Sequence, residues 1–168
     1  MLPITESLIT LNFPDNNYFR FQDCQGYKDI QNHFKEMDAC WYDVNNDILY
    51  LIELKDWSIA NLSNSEYSDK RIWDLVKKSV DSVSMMMSIL LQKPYSISIQ
   101  ACLPFSISNE TKIKLLSIVN CNEADKVFVA TVNTEYKSRF NAYAKLFDVN
   151  TFVILTKDRA TQLFDWIS

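Results

Sequence analysis

A chain of 168 residues with 48% hydrophobic and 23% charged residues is globular rather than disordered, with enough length for one full core and little for two. Its single glycine, Gly26, excludes the glycine-rich phosphate loops of dinucleotide folds and P-loop enzymes, which need several glycines for close backbone approach. A net charge of −4 and a pI near 5.0 argue against tight, non-specific DNA binding, and leave room for a local basic patch or a transient substrate.

In chain order, residues 7–13 form a short apolar segment that fits strand or helix. Residues 17–24 alternate Phe19 and Phe21 against Arg20 and Gln22, the pattern of a half-buried strand. Residues 27–36 are polar with scattered apolar positions, which suits a short helix or an irregular crossing. Two strands follow, residues 38–44 and 48–55, joined by a turn around Asn45-Asn46 of the kind hairpins favour. Residues 56–68, rich in Ser, Asn and Asp, read as a loop leading to a helix cap. The next stretch, 69–91, carries Ile72, Val76, Val80, Val83, Met87 and Leu90 as one apolar stripe at helical spacing. Beyond Pro94 the pattern predicts a strand over 95–104, a helix with a capping-box-like start over 108–119 and a strand over 126–133. A helix over 135–147, a strand over 151–155 and a closing helix over 157–167 complete the chain. The expected architecture is a single α/β domain over residues 1–168: a mixed sheet in which an antiparallel meander feeds a more parallel half.

Cys24, Cys40, Cys102 and Cys121 are widely spaced with no CxxC pair, so neither a zinc site nor a redox dithiol is expected. Cys40 and Cys102, in apolar runs, read as small hydrophobes. The first residues lack the basic-then-apolar pattern of a secretory signal, and no run approaches the ~18 to 20 apolar residues of a membrane span. A soluble protein of the reducing cytoplasm is the expectation.

The hairpin raises a sharper question, because Asp38, Glu53 and Lys55 interrupt otherwise apolar strands. With Asn45-Asn46 as a two-residue turn, or with a four-residue loop closed by Asp43 and Ile48, Asp38 falls directly opposite Glu53. Opposed residues share a face with Cβ atoms about 4.5 to 5.5 Å apart. Lys55 shares that face, Ile52 and Leu54 point away, and Asp43 has the wrong parity. Facing carboxylates repel unless something positive lies between them. A Mg²⁺ (or Mn²⁺) ion held by Asp38 and Glu53 answers that need, and with Lys55 beside it suits phosphodiester hydrolysis. The plainer alternative is a solvated face, which is what most such charge patterns are.

These residues carry a resemblance. Asp38, then Glu53-Leu54-Lys55 fifteen residues on at the end of an apolar strand, then a long helix, is similar to the PD-(D/E)XK nuclease superfamily of restriction-endonuclease-like folds. The resemblance covers residues 17–103 and implies an αβββαβ core with C-terminal additions. It implies that Asp38 and Glu53 are metal ligands joined by the Leu54 carbonyl, and that Lys55 is the catalytic lysine. The implied partner is nucleic acid, DNA ahead of RNA, with a protein partner or homodimer left open and no membrane. Met37 stands where the motif has proline, Glu6 and Glu36 are candidates for the acidic residue often carried on a first helix, and no Q-x-x-x-Y signature follows.

Elsewhere, His33 is the only histidine and reads as solvated or capping. Lys70, Arg71, Lys77 and Lys78 fit phosphate contacts, but Asp74 and Asp81 are spaced to pair with Lys77 and Lys78, which favours a solvated helix face. Met85 to Met87 read as core and flank, and Trp57 and Trp73 as the core edge rather than base-stacking platforms. The competing class to a nuclease is a binding or scaffold protein that keeps the fold and cleaves nothing.

Overall fold

The computed structural model describes residues 3–59 and 65–168, with side chains from residue 68 onward in the second stretch. Strands β1 (Ile4–Glu6) and β2 (Ile9–Leu11) form an antiparallel hairpin. Strand β3 (Tyr18–Phe19) precedes a short helix α1 (Gln25–Lys28), and then come β4 (Ala39–Asp43) and β5 (Ile48–Asp56). The long helix α2 (Ser65–Leu90) leads to a one-turn helix α3 (Ser96–Gln100) and strand β6 (Lys112–Asn120). Helix α4 (Lys126–Phe147), strand β7 (Val149–Thr156) and helix α5 (Lys157–Leu163) follow.

The main sheet has the order β3-β4-β5-β6-β7. Pairing is antiparallel from β3 to β5 and parallel from β5 to β7, which is the mixed sheet with a meander feeding a parallel half. Side chains alternate across it and divide the core in two. Leu49, Leu51, Leu115 and Val119 face α2 and α4, meeting Ile72, Val76 and Val83 from one helix and Val132, Tyr136 and Phe140 from the other. Ala39, Trp41, Ile52, Leu54 and Ile118 face the other way, under Ile9, Leu11, Phe13, Trp166 and Ile167.

Three expected elements change type. Residues 112–120 form a strand, not a helix, because Leu115 to Val119 are buried on both faces of a sheet interior. Residues 126–133 open α4 rather than forming a strand: Val129, Val132, Tyr136, Phe140 and Ala144 are one buried helical stripe, which overrides the β-branched composition. The alternation in 95–104 also misleads. Ser96 and Ile99 are buried while Ile97 is exposed, as in a single helical turn. Along α2 the buried residues are Ile72, Leu75, Val76, Ser79, Ser82, Val83, Met85, Met86 and Ile89, with Val80, Met87 and Leu90 at the margin.

Cys24 and Cys102 form a disulfide, which corrects the reading of Cys102 as an unpaired hydrophobe. Spacing along the chain carries no trace of this pair, because α1 and the end of α3 meet only through tertiary packing. Among the described residues no helix is long and apolar enough to cross a membrane.

Candidate functional site at the end of strands β4 and β5

The turn between β4 and β5 is the four-residue form, Val44 to Asp47, closed by the Asp43–Ile48 pair. The Asp43 carboxylate accepts from the amides of Asn45 (3.1 Å) and Asn46 (3.2 Å). Asp47 lies in the left-handed region (φ 51°) and accepts from the Tyr42 and Thr111 hydroxyls. These contacts pin the register, which runs to Ala39 opposite Ile52. One step outward sets Asp38 against Glu53. Asp43 faces the opposite side of the sheet, beside Trp41 and Tyr50.

Glu53 is fully buried, so it does not belong to a solvated face. Its Oε1 accepts from the ammoniums of Lys55 and, at 2.7 Å, of Lys78, while Oε2 has no hydrogen-bond partner. Burial, then the charge on Asp38, pushes the Glu53 carboxyl up to about 7, and Lys78 and Lys55 restrain the rise. Asp38 is anchored separately, its Oδ2 accepting from the Leu54 amide at 2.7 Å and its Oδ1 lying 3.5 Å from the Lys78 ammonium. The Leu54 carbonyl accepts from the Ser7 hydroxyl at 3.1 Å, across from the β1–β2 turn. Thus Asp38, Glu53 and Lys55 converge, and Leu54 presents its backbone to the same corner.

Lys78, which the sequence assigns to a solvated helix face or a phosphate contact, belongs to the site itself. Lys77 does pair with Asp81, at 2.7 Å, as helix spacing suggests. Lys78, one position on, instead lies beside the buried stripe between Leu75 and Ser82 and reaches the carboxylates. Burial works against its charge, but Glu53 and Asp38 outweigh that and hold its pKa above the ordinary lysine value. The signal was present: a lysine three residues after Leu75 and four before Ser82 sits on the helix's inner flank. Lys55, Trp57, Arg71, Asp74, Leu75 and Lys78 line a cavity of about 60 Å³ beside the pair. The Arg71 guanidinium covers the Trp57 ring at 5.6 Å, and Trp57 is buried as a core-edge residue. Trp73 is half exposed under Arg139 rather than core edge, and Lys70 is exposed.

Neither candidate for a third acid reaches the site. Glu6 pairs with Arg20 at 3.0 Å and Glu36 accepts from Tyr27. His33 is exposed. Among the described residues no cluster of three or more His, Cys, Asp or Glu could hold a metal. The donors present fit a hard divalent ion in kind, since two carboxylates and a carbonyl are all oxygen and one carboxylate oxygen is unpartnered. A wider cleft of about 600 Å³ opens on the opposite face, between Asp15, Trp41, Asp43 and Trp166. There Asp15 is engaged by Asn17 and Trp41, and Asp43 by its own turn. With its carboxylates so occupied it is the weaker candidate.

Compared with known protein families, curated proteins and solved structures, the chain matches none.

Proposed function

We propose that this chain is a metal-dependent nuclease of the PD-(D/E)XK type, hydrolysing phosphodiester bonds of nucleic acid, DNA ahead of RNA. The observation that carries the reading is the convergence of Asp38, buried Glu53 and Lys55 at one corner of one sheet face. The succession of three meander strands β3, β4 and β5, the long helix α2 and, after the one-turn α3, the strand β6 supports it as the βββαβ part of a restriction-endonuclease-like core; among the described residues no helix precedes β3, and α1 lies between β3 and β4. Asp38 and Glu53 would hold the Mg²⁺ or Mn²⁺ ion, with the Leu54 carbonyl beside them. When bound, such an ion polarises a phosphoryl oxygen and makes water a nucleophile near neutral pH. Lys55, one-third exposed, is placed to stabilise charge developing on the phosphoryl group.

A second reading, a catalytically silent binding or scaffold protein of the same fold, is favoured by one observation. Lys78 together with Lys55 already neutralises the carboxylates without a metal. Incubation with single- and double-stranded DNA and RNA in Mn²⁺ or Mg²⁺ separates the two. The nuclease cleaves some member of the panel, EDTA stops it, and Lys55→Ala lowers the rate by about 10² to 10³. A panel left intact favours the silent protein, and undiminished cleavage by Lys55→Ala points to another site.

A further inference from the structure

We infer that Lys78 is a built-in counter-ion which occupies the charge vacancy of the metal, so that the free protein binds metal weakly and nucleic acid strengthens that binding. The inference rests on the metal-dependent reading above and adds how the site is loaded.

The argument starts from charge. With Glu53 ionised, Asp38 and Glu53 contribute two negative charges, and Lys55 and Lys78 contribute two positive ones. Glu53 is fully buried, and a buried charge without a partner is strongly disfavoured. The metal-free corner is therefore already compensated. Adding a divalent ion leaves it two charges in excess while both ammoniums stay in place. A phosphodiester entering beside the ion returns one of those charges, so each ligand favours the other, and the coupling is reciprocal.

Lys78 rather than Lys55 is the residue that must yield. Of the two ammoniums, Lys78 is the one that touches both carboxylates, at 2.7 Å from Glu53 Oε1 and 3.5 Å from Asp38 Oδ1. It comes from α2, not from the strand that carries the carboxylate, and its stem is long and jointed. It also has somewhere to go. Asp74, one helical turn back, lines the same cavity as Lys55, Arg71 and Lys78. Moved there, the ammonium leaves the carboxylates to the ion and still faces an incoming phosphate.

The test is calorimetric titration with Mn²⁺ alone at pH 8, in wild type, Lys78→Gln, Lys78→Arg and Lys77→Gln. Lys78→Gln binds Mn²⁺ at least about tenfold more tightly than wild type, the scale of removing one unit charge a few ångströms from the ion. Lys78→Arg keeps the weak affinity because it keeps the charge. Lys77→Gln, whose lysine is committed to Asp81, matches wild type. Lys78→Met retains the apolar stem and stands in if Lys78→Gln does not fold. Equal or weaker Mn²⁺ binding by Lys78→Gln overturns the inference. If Asp38→Asn nevertheless abolishes Mn²⁺ binding, the metal site itself survives. Binding by neither wild type nor Lys78→Gln overturns both.

Discussion

At the scale of single residues, Glu53 is the most consequential side chain in the molecule. Its carboxyl is raised from 4.5 to about 7, first by burial and then by Asp38. A raised carboxyl means that the folded protein holds a proton which the unfolded chain has released. Metal-free stability therefore falls as pH rises from 4.5 towards 7, and levels off above it. The contribution is on the order of 3 kcal/mol at 1.36 kcal/mol per pKa unit. Thermal or urea melts in EDTA across this range should show that fall in wild type, superimposed on the opposite trend of ordinary acids, and Glu53→Gln should lack it. Identical pH slopes in the two proteins would sink the assignment. Metal binding runs the other way, strengthening through the same window as the carboxylate forms.

At the scale of elements, α1 and α3 show what a single glycine is kept for. A Cβ on Gly26 would lie 2.7 Å from the backbone of Ser98, so the two short helices approach through bare backbone next to the Cys24–Cys102 bond. The Tyr95 hydroxyl closes the same contact on the Gly26 carbonyl. Gly26→Ala forces the helices apart and should cost about 1 to 3 kcal/mol, the range for overpacking. An unchanged melting temperature would show that the approach is not needed. The hairpin and α2 were legible in the chain for a common reason. In β4 and β5 a fixed turn converts alternation into parity, and in α2 a long apolar period leaves one orientation. Lys78 was legible only as a lysine on the inner flank of α2; its partner was not, because Asp74 and Asp81 offer equally good local partners, and only the docking of α2 on the sheet decides between them and the carboxylates. Residues 112–120 and 126–133 exchanged identities for a related cause. Local cues, a capping box in one and β-branched residues in the other, were outweighed by where the buried faces had to go.

At the scale of the whole molecule, the two faces of the sheet are separately cored yet meet at the site. The helix face supplies Lys78, and the hairpin face supplies Ser7, whose hydroxyl reaches the Leu54 carbonyl at 3.1 Å. The corner is thus assembled from segments spread over more than seventy positions of chain, and that has a kinetic consequence. Strands β4 and β5 are neighbours in sequence and can zip from their turn within microseconds, whereas the docking of α2 must bring Lys78 back to Glu53 across 25 positions of chain. Zipping to completion would press Asp38 against Glu53 with only the Lys55 ammonium at hand, before Lys78, which touches both carboxylates, had arrived. The open end of the hairpin must therefore wait for the helix, while its turn forms early. Mutations near the turn, such as Ile48→Val, should slow refolding, and Ile52→Val beside the site should chiefly hasten unfolding. Equal partition of both between the two rates in stopped-flow experiments would rule this order out. The charges that equip the corner for chemistry thus also set the moment at which it can close.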